Sequence, residues 1–268
     1  MLFGQAAVPR DIGPFEWLLD PNSWTGTNGI LASLVDTLIL CAIVVAIACV
    51  MMIPLAAWLG HSRRGEVSVS WMVTLSRAIP TFAVAGLLVP VSLRAGWGFE
   101  PWPIFIALLL LALPPIFLNT YTAIRQVSPG VVEAARAMGY SERDVLLRVE
   151  LALGTSVILV GVRVAAITVV ATEPIRAFLG GDGLGRYVRD GLGQNNDGLV
   201  IAGAMLVAGL AGLTALLFRG FGRIALPEGV RRLASTTNRQ EGTAREISND
   251  QETDRLRNGH DLGPRRMQ

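Results

Sequence analysis

Residues 37–60 read TLILCAIVVAIACVMMIPLAAWLG, without a single Asp, Glu, Lys or Arg. As an α-helix this stretch is about 36 Å long, while the hydrocarbon core of a bilayer is about 30 Å thick. It is apolar all round rather than along one stripe, so a helix made of it needs lipid or other helices on every side. The remainder of the 268 residues is of the same character: 51% are apolar, 16% are charged, and the mean hydropathy is +0.48. A soluble domain carries about a quarter charged residues. These figures select an all-α membrane protein and leave no room for an added soluble catalytic domain.

Working outward, the first span runs from about Val35 to Leu59 and ends in His61-Ser62-Arg63-Arg64-Gly65. A second covers about Trp71 to Leu93 with a break at Pro80, and a third covers Pro103 to Ile124 through Pro114-Pro115. The fourth takes Leu151 to Leu179 and carries Arg163, Glu173 and Arg176; the fifth takes Leu199 to Phe218. A polar stretch, Arg125 to Glu150, separates the third and fourth, and a glycine-rich connection, Gly180 to Gly198, separates the fourth and fifth. In residues 1–30, Phe15, Trp17, Leu18, Leu19 and Trp24 suit the headgroup level, and no signal-peptide pattern is expected there. Residues 221–268 form a tail, free of aromatics from Gly229 onward, with the composition of a disordered segment. With the N-terminus outside, sixteen of the 23 arginines fall on the inner side, four outside, and Arg77, Arg163 and Arg176 within spans. The expectation is about five transmembrane helices, N-terminus outside and C-terminus inside, in a transmembrane domain of residues 31–220.

The basic residues exclude more. All 23 are arginine, and the Walker A phosphate loop requires lysine, so no nucleotide binds through a P-loop of this chain. A Schiff-base lysine is excluded for the same reason. Gly180–Gly185 has the glycine content of a phosphate loop but follows no strand pattern. Cys41 and Cys49 are eight positions apart, about 12 Å along a helix and too far for a disulfide. His61 and His260 show no metal-ligand spacing. No catalytic residue, metal or cofactor of its own is expected. Nucleic acid is not expected either, since six acids lie among the eight arginines after Gly229.

The polar stretch before the fourth span is the most structured. Ser128 is placed to cap a helix with Pro129 at its first position, and Gly139 stops that helix. Ser141 opens a second, with Asp144 three positions on in a capping-box arrangement. Together the two short helices present Val131, Val132, Ala135, Met138, Val145 and Leu146 on an apolar face. That face either packs back on the bundle or docks a partner.

Here a family resemblance enters. Glu133-Ala134-Ala135, three residues, Gly139, nine residues, Val149-Glu150-Leu151-Ala152 resembles the EAA motif of ATP-binding-cassette (ABC) importer permeases. That motif reads E-A-A, three residues, G, nine residues, I, any residue, L, P; both spacings are kept, with Val149 for Ile and Ala152 for Pro. Ser76-Arg77-Ala78-Ile79-Pro80-Thr81 is similar to the second-span signature of the superfamily. Asn119-Thr120-Tyr121-Thr122, Ala177-Phe178-Leu179-Gly180 leading into Gly183-Leu184-Gly185, and Ile201-Ala202-Gly203-Ala204 resemble its glycine betaine, carnitine and choline branch, although Asp182 adds a charge.

The resemblance covers most of residues 30–220 and implies a type I ABC importer transmembrane domain in a bacterial plasma membrane. Two permease chains, copies or homologues, would enclose a path for osmoprotectants such as glycine betaine, choline, carnitine or proline. A cytosolic ABC ATPase dimer would hold ATP and Mg and engage the loop 125–153, and an extracytoplasmic solute-binding protein would deliver the solute. The chain would then be a transport subunit and not an enzyme. Glu133, Ala134, Ala135, Gly139, Val149 and Leu151 would form the ATPase-coupling element, with Asn119, Tyr121, Glu173 and Arg176 as pathway or gate candidates. The alternatives are a permease for another small solute, such as methionine or phosphonate, or a secondary transporter or channel.

Charges within a span cost a few kcal/mol each. Glu173 and Arg176, three apart, can pair on a helix, either as an internal ion pair or as a gate. Arg163 anchors structure or meets a carboxylate. Ala204, Ala208 and Gly212 recur at four-residue intervals, as small residues do where helix backbones approach; packing within the subunit is expected ahead of a seam between subunits.

Overall fold

A computed structural model describes residues 13–27, 29–63, 67, 69, 71, 72, 74, 80–98 and 101–225, and among them all regular structure is helical. Helices α1 (Pro14–Leu19) and α2 (Pro21–Trp24) each open on a proline, where the missing N–H has no helical partner to lose. The first span is α3 (Ile30–His61), which continues through Pro54. Helix α4 (Thr81–Arg94) begins directly after Pro80. The third span, α5 (Trp102–Arg125), carries Pro114 and Pro115 inside it. A loop helix, α6 (Pro129–Ala137), precedes a helical run made of α7 (Glu142–Asp144), a π-helical stretch (Val145–Glu150) and α8 (Leu151–Thr172). Then come α9 (Ile175–Phe178), α10 (Gly185–Gln194) and α11 (Asp197–Ala225).

Four helices, Ile30–His61, Trp102–Arg125, Glu142–Phe178 and Asp197–Gly220, are long and apolar enough to cross a membrane. The second of the five expected spans is represented by α4, with 14 residues. At its expected start Trp71, Met72 and Thr74 are helical, while Ser76–Ile79 of the signature lie outside the described residues, as do residues 1–12 and the tail beyond 225. The chain divides into two units, Met1–Gly222 and Arg223–Gln268, the second almost wholly outside the described residues.

The core of the first unit is built where α3, α5 and α8 meet. Leu40, Val44, Ala48 and Ala56 of α3 are buried with Leu108, Ala112, Ile116 and Phe117 of α5 and Ala165 and Val169 of α8. Lipid tails are as apolar as these side chains, so close contact and not burial from water holds such helices together. Gly161 shows the point: a Cβ there would fall 2.6 Å from the Asn119 Cβ and 2.8 Å from the Pro115 carbonyl oxygen.

The structure departs from the sequence reading in several places. The fourth span does not begin at Leu151, and the second loop helix is not separate. The helix runs on from Glu142, because no proline interrupts it before Pro174 and the π-helical stretch absorbs the change of register. At Glu173-Pro174 it breaks, α8 ending at Thr172, seven residues before the expected Leu179, and α9 restarts it. The glycine-rich connection holds the helix α10, whose Tyr187 packs edge-on against Trp17 at 5.1 Å. Trp17 is therefore buried within the protein, while Phe15 and Leu19 are exposed. Ser128 makes no side-chain cap. Ala204, Ala208 and Gly212 are exposed; it is Ala202, Gly203 and Leu210 that α11 buries.

Candidate functional site

The loop after the third span is rigid for reasons visible residue by residue. At the end of α6 the Tyr140 N–H donates to the Ala135 carbonyl at 3.2 Å and the Gly139 N–H to the Arg136 carbonyl at 2.9 Å. This is the Schellman arrangement, and it needs a left-handed residue, which Gly139 supplies with φ +87°. No atom lies within 4 Å of a Cβ placed on Gly139, so the backbone angle and not crowding calls for glycine. Val132, Ala135 and Val145 bury one another, with Val127 and Val149 against them. On the other side, Val131, Met138 and Tyr140 remain 43%, 72% and 41% exposed. The predicted apolar face therefore splits, half closing the loop on itself and half left open. Glu133 and Ala134 lie on the exposed side, and Glu133 has no hydrogen bond or ion pair with any described residue. Ala135 is buried, Val149 and Leu151 are half-buried, and Gly139 is exposed at the turn.

A charge network ties this loop to the first span. Arg136 grips Glu142 with two parallel hydrogen bonds, both 2.8 Å. Glu142 Oε2 lies 3.1 Å from His61 Nε2, and His61 Nδ1 lies 2.6 Å from Glu150 Oε2. The Arg136 fork, with His61 adding to it, holds the Glu142 carboxyl below the usual carboxylate range. Ser141 caps the start of the run: its hydroxyl accepts from the Asp144 N–H at 3.2 Å and donates to the Asp144 carboxylate at 2.6 Å. His61 and Glu150 were not candidates on spacing, because 89 residues separate them and only the fold brings them together.

At the opposite end of the bundle the pair Glu173 and Arg176 forms part of a larger cluster. Arg176 Nε is 3.2 Å from Glu173 Oε1, and the guanidinium also contacts Asp36 of α3. Thr37 donates to Glu173 Oε2 at 3.1 Å and accepts from the Leu184 N–H at 3.0 Å. Glu173 and Arg176 are almost completely buried. Asp36 and Thr37 escaped the sequence reading; a carboxylate heading an uncharged run was the available signal. Asn119 and Tyr121 are elsewhere, since Gly161, which Asn119 touches, is about 18 Å along the helix from Glu173. The Asn119 amide donates to the Pro115 carbonyl at 2.8 Å, and Tyr121 is buried and stacked on Phe117 at 6.2 Å. Thus the four pathway candidates form two separate groups. Arg163, half-buried in α8, has no hydrogen bond or ion pair with any described residue. Among the described residues no cluster of His, Cys, Asp and Glu is arranged to hold a metal ion.

A bundle of helices long and apolar enough to cross a membrane, with a stiff, charge-tethered loop at one end, defines a polytopic membrane protein. The chain belongs to the family of binding-protein-dependent transport system inner membrane components, whose sequence pattern matches residues 52–225. It is 31% identical over 204 residues to the osmoprotectant import permease protein OsmW of Salmonella typhimurium, covering 76% of this chain and 95% of that one. It is 28% identical over 209 residues to the choline transport system permease protein OpuBB of Bacillus subtilis, covering 77% and 94%. Among solved structures, a chain of the MetNI methionine ABC transporter in an inward-facing conformation superposes with a TM-score of 0.62 at 20% identity, covering 73% and 95%. The fold is thus that of an ABC importer permease.

Proposed function

We propose that this chain is the pore-forming permease of an ATP-driven importer for osmoprotectants, in the class of glycine betaine, choline and carnitine. Support for the solute class comes from the names of its relatives, osmoprotectant, choline and carnitine permeases among them. A partner ABC ATPase dimer hydrolyses ATP with Mg and docks on the loop of residues 125–153. A second permease, a copy or a homologue, completes the pore, and an extracytoplasmic binding protein delivers solute. The N-terminus lies outside and the loop and tail inside, as the arginine distribution favours.

The observation that carries the docking proposal is the open half of the loop: Val131, Met138 and Tyr140 exposed around Glu133, which makes no hydrogen bond or ion pair with a described residue, on a turn that the Gly139 backbone and the Val132 cluster hold rigid. An exposed apolar patch with one such carboxylate, away from the apolar spans, is built for a protein partner. Glu133, Ala134 and Gly139 act here as docking and shaping residues, and Ala135, Val149 and Leu151 as the support beneath them. Because both pathway groups are held in internal contacts, Asn119, Tyr121, Glu173 and Arg176 act by setting helix positions. The exposed row of Ala204, Ala208 and Gly212 suits the second permease. The test is co-purification of the ATPase with the permease, and uptake of labelled glycine betaine and choline, for wild type and Met138→Asp. The charged variant is expected to release the ATPase and lose uptake while the permease stays folded; retention of the ATPase by Met138→Asp overturns the docking surface.

A further inference from the structure

We propose that His61 is a positioning residue that clamps the coupling loop to the first span, and that the clamp is complete only when its imidazole is protonated. The inference rests on the reading of the loop as the ATPase-docking element and goes beyond it to the means by which a force on that element reaches the spans.

The geometry is specific. His61 is the last residue of α3, and its side chain is largely buried, 14% exposed. Each ring nitrogen faces a different carboxylate: Nδ1 faces Glu150 at 2.6 Å and Nε2 faces Glu142 at 3.1 Å. A neutral imidazole carries one N–H and one lone pair, so it can donate to only one of the two carboxylates; the other would face a lone pair. Both contacts together require the imidazolium. The links then form a chain from the loop helix, through Arg136 and Glu142, to His61 at the end of α3, and on to Glu150 at the head of α8. At this end Gly60 of α3 also packs on Ile124 and Tyr121 of the third span, but the Val132 cluster that closes the loop takes no side chain from α3. The polar chain is therefore the direct side-chain link between loop and first span. Arg63, two positions on in the same chain, and the exposed Arg125, which follows the Ile124 packed on Gly60, are further charges at this end of the bundle.

The test uses the full chain with its partners in proteoliposomes, Cys41 and Cys49 replaced by serine, and spin labels at Leu55→Cys and Ala137→Cys. The expected result is one narrow label-to-label distance while the imidazolium and both carboxylates are charged, broadening as pH rises and the imidazolium loses its proton. His61→Gln, with one donor nitrogen in place of two, is broad throughout; His61→Arg, charged with donors on two sides, is narrow throughout. With the ATPase bound, glycine betaine imported per ATP falls about fivefold in His61→Gln, the low end of site-to-site coupling energies, and recovers in His61→Arg. A wild-type distance that ignores pH, or a narrow one in His61→Gln, overturns the clamp even if no variant beyond wild type folds. Failure of the docking reading is seen separately, as an ATPase that Met138→Asp does not release.

Discussion

Gly139 and Gly183 are both left-handed, at φ +87° and +89°, yet their surroundings differ, and the difference predicts unequal costs for the same substitution. An alanine at either position meets the backbone penalty of a left-handed conformation, about 1–2 kcal/mol. At Gly139 nothing more is owed, since the space around its Cβ is empty. At Gly183 the new methyl would lie 2.6 Å from Glu173 Oε1, 2.8 Å from Thr37 Oγ1 and 3.0 Å from an Arg176 terminal nitrogen. These atoms hold the buried charge cluster between the first and fourth spans, and Glu173 is fully buried. Displacing one hydrogen bond to a buried charge costs about 1.5–3 kcal/mol, so Gly183→Ala should total about 3–5 kcal/mol against about 1–2 for Gly139→Ala. The assay is reversible unfolding of the purified full chain in mixed detergent micelles, followed by circular dichroism at several denaturant fractions. Equal losses for the two variants, or a Gly183→Ala loss no larger than the backbone penalty, would refute the assignment of that cluster as a packed, hydrogen-bonded lock.

The same unfolding assay reads three further expectations. Gly161→Ala should cost about 1–3 kcal/mol by forcing α8 away from Asn119 and Pro115, whereas Gly212→Ala, with nothing within 4 Å, should leave the isolated subunit unchanged. Arg176→Leu should cost about 3–5 kcal/mol, because it leaves Glu173 buried without its counter-charge, while Arg163→Leu, which breaks no pairing among the described residues, should not destabilise. Acid should open the loop: the Glu142 carboxyl is depressed in the folded chain, so its contribution is present above the ordinary carboxylate value, about 4.3, and is lost as pH falls through the lower folded value. Protection of the Gly139 and Tyr140 amides from hydrogen exchange, taken relative to the intrinsic rate at each pH, should therefore fall below about pH 4 in wild type, and Glu142→Gln should remove that acid step.

What the sequence made legible was what local chemistry decides. The uncharged run to Gly60 predicted a span, Pro129 and Gly139 predicted the ends of a loop helix, and Ser141 with Asp144 predicted a helix start; helices stand at each. The burial of Trp17 and the helix in the connection after Gly180 were not legible because each depends on the other: Tyr187 on α10 supplies the apolar surface that buries Trp17, 170 positions away. The small-residue row in the fifth span was misread for a related cause. Spacing puts Ala204, Ala208 and Gly212 on one side of a helix, but which side turns inward depends on the neighbours, and Gly203 meets α10 instead. His61 was invisible for the strongest form of this reason. Its partners Glu142 and Glu150 come from beyond two further spans, and a histidine beside two arginines gives no hint of carboxylates.

Taken together, the two charge clusters say how the subunit can move. The first span is tied to the fourth at both ends: Asp36 and Thr37 meet Arg176 and Glu173 at one end, and His61 meets Glu150 at the other. Thr37 and His61 are about 36 Å apart along α3, so the ties lie at opposite limits of the apolar run. Between them α5 packs against both helices through small residues and aromatic rings, with no buried charge pair of its own among the described residues. Two helices joined at both ends cannot slide or tilt relative to each other without breaking one of these polar contacts, most of whose groups are buried. On the proposed reading of the loop as a docking element, a push on it would reach the first and fourth spans together, and the relative motion of helices is expected at the exposed faces of α4 and α11.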